Sequence, residues 1–233
     1  MERRRSNSIV AACFICCVLF TGACGPKQVQ RAETSESSPV TAKPAPQTAD
    51  TRPVIVAFGD SLTAGVSGKS YPEHLQDLLD RSAFLYRVDN QGVSGDTTTD
   101  GLARIENVVA AHPALVLLEF GGNDGLRGIP VTSTQENLDQ MISLLQAAKI
   151  PVVLLGITLP PNYGPDYVKP FTAIFPTLAA KYKVPLMPFL VLHVYRDPAL
   201  MQPDGIHPNG QGNQIVAQDV FTLIKPLLTP AKR

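Results

Sequence analysis

The chain has 233 residues, with 20 basic and 20 acidic side chains, and 44% of its residues are hydrophobic. The balanced charge and the lack of a basic cluster argue against a nucleic-acid partner. Residues 53–233 are enough for one well-buried domain.

Residues 1–23 have the pattern of a secretory signal. Arginines at positions 3–5 give a basic start, and the apolar run at 9–20 is shorter than a membrane span. We therefore expect this segment to direct export and then to be removed.

Cys24 follows three small residues, and this short segment resembles a bacterial lipobox. The resemblance implies that Cys24 is lipidated and becomes the mature N-terminus, although Thr21 stands where lipoboxes usually have an aliphatic residue. Gly25 follows the cysteine, which in a Gram-negative cell would imply sorting to the outer membrane. Ordinary cleavage after Ala23, with a free Cys24, is the alternative.

All four cysteines lie within the first 24 residues. The sequence therefore predicts no disulfide, cysteine nucleophile or cysteine metal site in the domain that follows. Residues 24–52 are rich in Pro, Ala, Thr, Ser and Gln and poor in large apolar side chains, so we expect a flexible tether. Residues 53–233 then form the folded domain.

Short aliphatic runs alternate with amphipathic stretches along this domain, which predicts alternating strands and helices. The expected strands are 54–58, 86–90, 115–120, 152–157 and 184–187. The expected helices are 71–79, 100–109, 134–149, 167–182 and 210–228. This alternation predicts an α/β fold, a three-layer sandwich with a five-stranded parallel sheet between two layers of helices.

Two helices carry further signals. Ser133, with Glu136 three residues later, has the spacing of a capping box that would open the helix 134–149. Pro170 and Pro176 lie inside the helix expected at 167–182 and weaken that prediction, because an internal proline removes a backbone hydrogen bond.

Polar residues collect at the carboxyl edge of the expected sheet, where ligand sites of parallel sheets form. Ser61 follows the first strand, Gly95 the second and Asn123 the third, while Asp204 and His207 follow the fifth. A serine directly beyond a buried strand is rigidly held and faces solvent, as a nucleophile must. The edge is therefore the candidate site.

The glycine-rich turn after the first strand does not fit three familiar motifs. A phosphate-binding loop needs a glycine five residues before Gly68, where Thr63 stands. Gly59, Gly65 and Gly68 lack the spacing of a dinucleotide fingerprint. Thr63 also breaks the G-x-S-x-G elbow of the α/β-hydrolases.

What the chain resembles is the SGNH-type (GDSL) hydrolase superfamily, and within it the bacterial periplasmic thioesterase, lysophospholipase and arylesterase group. The matching blocks are Gly-Asp-Ser-Leu (59–62), Gly-Val-Ser-Gly-Asp-Thr (92–97), Gly-Leu-Ala-Arg (101–104), Gly-Gly-Asn-Asp-Gly-Leu-Arg-Gly (121–128), Leu-Pro-Pro-Asn-Tyr-Gly (159–164) and Asp-Gly-Ile-His-Pro-Asn (204–209). The resemblance spans residues 53–228. It implies a flavodoxin-like fold and a serine esterase that needs no cofactor.

The resemblance also implies a role for each polar residue at the edge. Ser61 would be the nucleophile, His207 its general base and Asp204 the acid that orients the imidazole, roles that suit their chemistry. The backbone N–H groups of Ser61 and Gly95 and the side-chain amide of Asn123 would form the oxyanion hole.

Other titratable residues have less specific interpretations. His193 lies in an apolar stretch and is expected to be a core histidine. Asp60, Asp96 and Asp124 are expected to stabilise turns, and Glu119 to make a hydrogen bond at a strand end. The histidines are scattered without ligand spacing, so we expect no metal.

The expected activity is hydrolysis of short-to-medium acyl esters or thioesters, or of lysophospholipids, through an acyl-serine intermediate. Leu126, Ile129, Leu159 and Tyr163 are expected to line a groove for the acyl chain. A carbohydrate or peptidoglycan O-acetylesterase is the alternative within the fold, and a non-catalytic lipid-binding envelope lipoprotein is the alternative of another class. We expect an exported, membrane-anchored monomer.

Overall fold

The structure is a computed structural model that describes residues 50–231. The expected signal at 1–23, the lipidation site Cys24 and nearly all of the tether at 24–52 lie outside the described residues. No helix within 50–231 combines the length and the apolar character that crossing a bilayer requires.

Within this range, five parallel strands form one sheet in the order β2-β1-β3-β4-β5. The strands are β1 (Val54–Gly59), β2 (Arg87–Gly92), β3 (Leu115–Glu119), β4 (Val152–Leu155) and β5 (Leu186–Met187). The inner strands β1, β3 and β4 are buried almost throughout, as their continuous aliphatic runs require. The predicted five-stranded parallel sheet is confirmed, although β5 has only two residues.

Seven α-helices accompany the strands in the described part of the chain. They are α1 (Ser61–Ala64), α2 (Tyr71–Arg81), α3 (Thr98–Ala110), α4 (Gly122–Leu126), α5 (Val131–Ala147), α6 (Pro165–Tyr182) and α7 (Gly210–Ile224). Helix α2 packs against α7, whereas α5 packs against both α3 and α6. Right-handed crossovers place these two groups on opposite faces of the sheet, so the predicted three-layer α/β arrangement is confirmed. The short helices α1 and α4 were not predicted.

The predicted start of α5 is wrong. The helix begins at Val131, directly after Pro130, and the backbone N–H of Ser133 already donates to the Pro130 carbonyl at 2.9 Å. A capping serine has extended backbone and precedes the helix. Ser133 instead lies in the first turn, so the spacing from Ser133 to Glu136 does not form a capping box here.

Helix α6 is continuous although Pro170 and Pro176 lie inside it. Both prolines are exposed, while Phe171 and Phe175 on the buried side are fully enclosed. Full burial of one such side chain contributes about 1.5–3 kcal/mol. An internal proline costs about 3 kcal/mol. The buried face of α6, which also includes Ile174 and Leu178, therefore offsets the two prolines.

The sheet opens a crevice at the carboxyl end of β1. The chain leaves β1 in one direction to form β2, then crosses β1 and forms β3 on its other side. Such a reversal of direction makes a ligand crevice at the strand ends. Phe58 of β1 pairs in register with Leu118 of β3, so residues 59–61 and 119–123 meet at this crevice.

Candidate active site

Ser61 begins α1 directly beyond the buried end of β1. The preceding residue, Asp60, is buried and caps the helix, since its Oδ1 accepts the backbone N–H of Leu62 at 3.0 Å. The Ser61 hydroxyl is half-buried and lies 2.8 Å from Nε2 of His207, which is 146 residues away in the sequence. The structure therefore brings the predicted nucleophile and base into hydrogen-bonding contact.

Asp204 and His207 share one turn before α7. Asp204 Oδ2 lies 2.7 Å from His207 Nδ1, and Asp204 Oδ1 accepts the backbone N–H groups of Ile206 at 2.9 Å and His207 at 3.0 Å. Gly205 completes the turn with a φ of +67°, a region that side-chain-bearing residues rarely adopt. The relative position of acid and imidazole is therefore set locally.

The turn keeps Asp204 ionised. Burial alone would raise the pKa of Asp204, but hydrogen bonds from the backbone and side chain of His207 outweigh it, and the pKa lies below its usual value. An ionised carboxylate beside Nδ1 favours the tautomer that carries its proton there. Nε2 of His207 can then accept the proton of Ser61, as nucleophilic catalysis requires.

The predicted oxyanion-hole donors lie around the same crevice. Within the described residues, the backbone N–H groups of Ser61 and Gly95 donate to no protein acceptor. Gly95 has a φ of +90°, so a side chain there would strain the backbone. The Asn123 amide donates to the Asp96 carbonyl at 2.9 Å and to Asp60 Oδ2 at 3.2 Å. An oxyanion would have to replace one of these two acceptors.

Arg104 ties the strand ends together, a role that the sequence did not indicate for it. Its guanidinium bonds to Asp96 Oδ2 at 2.9 Å and to the carbonyls of Gln91 at 2.9 Å and Gly59 at 3.0 Å. It also stacks 4.3 Å from the ring centroid of Phe58. One side chain thus joins the ends of β1 and β2 to the loop that carries Gly95.

Two carboxyl groups are buried beside the nucleophile. Glu119 Oε2 accepts the backbone N–H of Asp60 at 3.2 Å and the Thr63 hydroxyl at 2.8 Å, which is the expected hydrogen bond at a strand end. Burial raises the pKa of Asp60 to about 6. Burial, with the Asp60 charge adding to it, holds the pKa of Glu119 well above its usual range.

The other titratable candidates lie away from the imidazole of the site. Asp124 accepts the backbone N–H of Thr98 at 2.8 Å and so connects α4 to α3. The expectation of a core position for His193 is wrong, since this side chain is 63% exposed and pairs with Asp219 at 2.8 Å. Val191 and Val194 are buried, whereas the imidazole of His193 points outward. Within 50–231, no cluster of three or more His, Cys, Asp or Glu side chains is arranged to hold a metal.

An apolar pocket of about 60 Å³ adjoins the crevice. The residues lining it include Leu62, Leu126, Ile157, Leu159, Phe189 and Ile206. Leu126 and Leu159 were expected to contact an acyl chain, whereas Ile129 and Tyr163 do not line this pocket. The Tyr163 hydroxyl instead donates to the Leu126 carbonyl at 3.2 Å, which supports the pocket wall from behind.

Known proteins share both the sequence and the fold. Residues 57–215 match the family described as GDSL-like Lipase/Acylhydrolase. Esterase TesA of Pseudomonas aeruginosa is 40% identical over 178 residues, which are 75% of this chain and 89% of that protein. The arylesterase of Vibrio mimicus is 42% identical over 170 residues, 71% of this chain and 85% of that protein.

A third relative is thioesterase 1/protease 1/lysophospholipase L1 of Escherichia coli, 40% identical over 178 residues that cover 75% of this chain and 84% of that protein. The crystal structure of TesA superimposes with a TM-score of 0.71 at 40% identity, covering 75% of this chain and 99% of that one. The likeness therefore extends over nearly all of the described residues.

The contact between Ser61 and His207 predicts that Ser61 reacts with a fluorophosphonate probe. His207→Ala should slow this labelling by roughly 10²–10⁴-fold, because the hydroxyl loses its base. His193→Ala is the matched control, since it removes the imidazole of an exposed His–Asp pair, and it should label like the unaltered protein. Peptide mass spectrometry locates the adduct. An adduct on another serine, or an unchanged rate in His207→Ala, would contradict the site.

Proposed function

Because the chain belongs to the GDSL-like lipase/acylhydrolase family and is an ester-hydrolysing enzyme, we propose that it cleaves short-to-medium acyl esters or thioesters through an acyl-serine intermediate. Lysophospholipids are a further substrate class of the proposal, supported by the name of the Escherichia coli relative. The observation that carries the proposal is the chain of contacts from Ser61 through His207 to Asp204, at 2.8 and 2.7 Å. A non-catalytic lipid-binding lipoprotein is set aside, because the relatives are named as esterases and thioesterases.

In the first half-reaction, His207 Nε2 takes the hydroxyl proton of Ser61 while Oγ attacks the acyl carbon. The tetrahedral intermediate then collapses, the bond to the leaving oxygen or sulfur breaks, and the proton on Nε2 passes to that atom. Asp204 stays ionised and stabilises the imidazolium that exists between these two events. The product of this half is an acyl ester on Ser61.

In the second half-reaction, water takes the place of the departed group. His207 Nε2 accepts a proton from water, and the oxygen of that water adds to the acyl carbon. Collapse of the second tetrahedral intermediate breaks the bond to Ser61 Oγ, which recovers its proton from Nε2. The carboxylic acid leaves, and the resting state is restored without any cofactor.

The oxyanion of both intermediates would meet three donors. The N–H groups of Ser61 and Gly95 lack protein acceptors in the described structure and so need not give up an existing partner. Asn123 would exchange one of its two present acceptors, the Asp96 carbonyl or Asp60 Oδ2, for the oxyanion. Each such donor is worth roughly 10²–10³-fold in turnover.

The apolar pocket sets the expected acyl length. The pocket of about 60 Å³ is small and apolar, so we expect it to favour short-to-medium acyl chains over long ones. Leu62 and Ile206, which line the pocket, neighbour Ser61 and His207 in the sequence. An acyl carbon at Ser61 would therefore place its chain in the pocket.

A series of p-nitrophenyl esters from acetyl to palmitoyl tests the proposal with the soluble domain, residues 50–233. We expect turnover to be highest for butyrate and hexanoate and to disappear in Ser61→Ala, because the nucleophile is lost. Acyl-CoA and lysophosphatidylcholine extend the series to thioesters and lysophospholipids. No detectable hydrolysis, or activity that survives Ser61→Ala, would overturn the proposal, and activity confined to acetyl esters would favour the O-acetylesterase alternative.

Phe189→Ala should move the preferred acyl chain towards longer esters, because it removes an aromatic ring from the pocket wall. Ile129→Ala removes apolar surface outside the pocket lining and should leave the profile of kcat/KM against chain length unchanged. If the two variants shifted the profile equally, or neither shifted it, the acyl chain would bind elsewhere.

We also propose that the enzyme acts in the cell envelope, anchored through a lipid on Cys24, with residues 24–52 as a tether to the catalytic domain at 53–233. The support comes from the export signal and the small residues before Cys24. Metabolic labelling with palmitate in a bacterial host should mark the full chain and should not mark Cys24→Ser. An unlabelled full chain that is nevertheless processed would indicate simple secretion.

A further inference from the structure

Glu119 contacts the nucleophile turn on both sides of Ser61. Its Oε2 accepts the backbone N–H of Asp60, the residue before the nucleophile, and the hydroxyl of Thr63, two residues after it. Glu119 and Thr63 are both 0% exposed. A single buried carboxyl oxygen thus holds the two ends of the short segment that carries the reactive hydroxyl.

The turn is shaped around this carboxyl group. A Cβ atom on Gly59 would lie 2.5 Å from Glu119 Oε2 and would also overlap the Thr63 hydroxyl. The Glu119 and Thr63 side chains therefore occupy the space that a side chain at position 59 would need. The hydroxyl of buried Tyr71 lies 3.4 Å from Thr63 Oγ1 and continues the network towards α2. The glycine of the Gly-Asp-Ser-Leu block is therefore required by the group packed beneath the turn.

The same network reaches the oxyanion hole. Asp60, whose backbone is held by Glu119, uses Oδ1 to cap α1 and Oδ2 to accept the Asn123 amide at 3.2 Å. A shift of the Asp60 backbone would therefore move the Asn123 donor as well as Ser61. The positions of the nucleophile Ser61 and of the Asn123 amide therefore both depend on one atom, Oε2 of Glu119.

A role in stability alone does not explain this arrangement. Burying a carboxyl group without a cationic partner is unfavourable. Glu119 Oε1 has no hydrogen-bond partner among the described residues, which makes burial of this carboxyl group still less favourable. Burial, with the Asp60 charge adding to it, raises the pKa of Glu119 well above its usual range, which favours the uncharged form of a carboxyl group whose Oε2 acts as acceptor.

We propose that Glu119 is a positioning residue for the esterase reaction, which holds the Ser61 turn and, through Asp60, the Asn123 amide in their reactive arrangement. The inference rests on the proposed function. It assigns Glu119 no contact with substrate, so its effect falls on turnover and not on substrate binding. Misplacement of reacting groups by about 1 Å costs up to about 10²-fold in rate.

Three variants of the soluble domain separate positioning from stability. Glu119→Gln is the isostere of a neutral acid and keeps an acceptor oxygen, so kcat should stay within about threefold of the unaltered enzyme. Glu119→Leu keeps similar volume without an acceptor and should lower kcat by roughly 10–10²-fold at unchanged KM. Glu136→Leu makes the same exchange at an exposed position of α5 and should change neither constant. Thermal midpoints are measured in parallel to show that each variant is folded at the assay temperature, and the midpoint of Glu119→Leu should be lower, because the buried Asp60 N–H and Thr63 hydroxyl lose their acceptor.

Thr63→Val keeps the inference testable if Glu119→Leu does not fold, since it removes one of the two hydrogen bonds to Oε2. It should lower kcat by a smaller factor than Glu119→Leu, again at unchanged KM. Unchanged kcat in both Glu119→Leu and Thr63→Val would overturn the inference. Loss of activity in Glu119→Gln equal to that in Glu119→Leu would also overturn it, because charge rather than acceptor geometry would then be decisive.

The rate of Ser61 labelling by a fluorophosphonate separates this inference from the substrate proposal. If the domain hydrolysed none of the esters, the proposed substrates would be wrong, but slow labelling in Glu119→Leu with normal labelling in Glu119→Gln would still support positioning. Equal labelling rates in all three variants and the unaltered domain would overturn the inference whatever the substrate is.

Discussion

Backbone polar groups at the carboxyl ends of β1 and β2 have to find partners where the strand ladder stops, because these ends are enclosed by the helices. Arg104 supplies donors to the Gly59 and Gln91 carbonyls, and Glu119 supplies an acceptor to the Asp60 N–H. The N–H groups of Ser61 and Gly95 are left without a protein acceptor in the described structure. The two backbone donors of the candidate oxyanion hole are thus the N–H groups that stay free after the neighbouring backbone groups have made their hydrogen bonds.

The supports of the nucleophile and one part of the acyl pocket wall come from different parts of the sheet. Arg104, Glu119 and Asn123 belong to elements around β1, β2 and β3, whereas Leu159 and Phe189 follow β4 and β5. Changes in the loops after β4 and β5 therefore alter pocket size without disturbing the hydrogen bonds that hold Ser61. The esterase, arylesterase and thioesterase names of the relatives are consistent with such a separation between reactive groups and acyl recognition.

Much of the fold was predictable because it depends on local patterns. The aliphatic run of β3 and the leucines of α2 identify buried elements directly, and polar residues after successive strands share an edge once the sheet is parallel. The burial of Glu119 was not predictable, because a single acidic residue after an aliphatic run is equally typical of a buried position and of the exposed end of a strand. The role of Arg104 was not predictable either, because it lies on a helix and its three acceptors are brought to it only by the fold.

The remaining misses have similar causes. The predicted start of α5 was wrong because the capping-box spacing is common, and only the backbone conformation shows that the helix already begins at Val131, directly after Pro130. His193 was placed in the core because its neighbours are apolar, although an irregular segment can turn one side chain outward. The pocket lining combines residues from five separate segments of the chain, which no spacing in the sequence relates to one another.

The turn from Asp204 to His207 has a consequence for how the enzyme loses activity on heating. Its acid and base are fixed to each other over three residues, but their contact with Ser61 joins segments 146 residues apart. This turn leads into α7, which is attached to the domain mainly through its packing on α2. Catalytic activity therefore requires that the C-terminal segment, which carries Asp204 and His207, stays packed on the rest of the domain. Displacement of that segment would separate His207 from Ser61 and is therefore enough to stop catalysis.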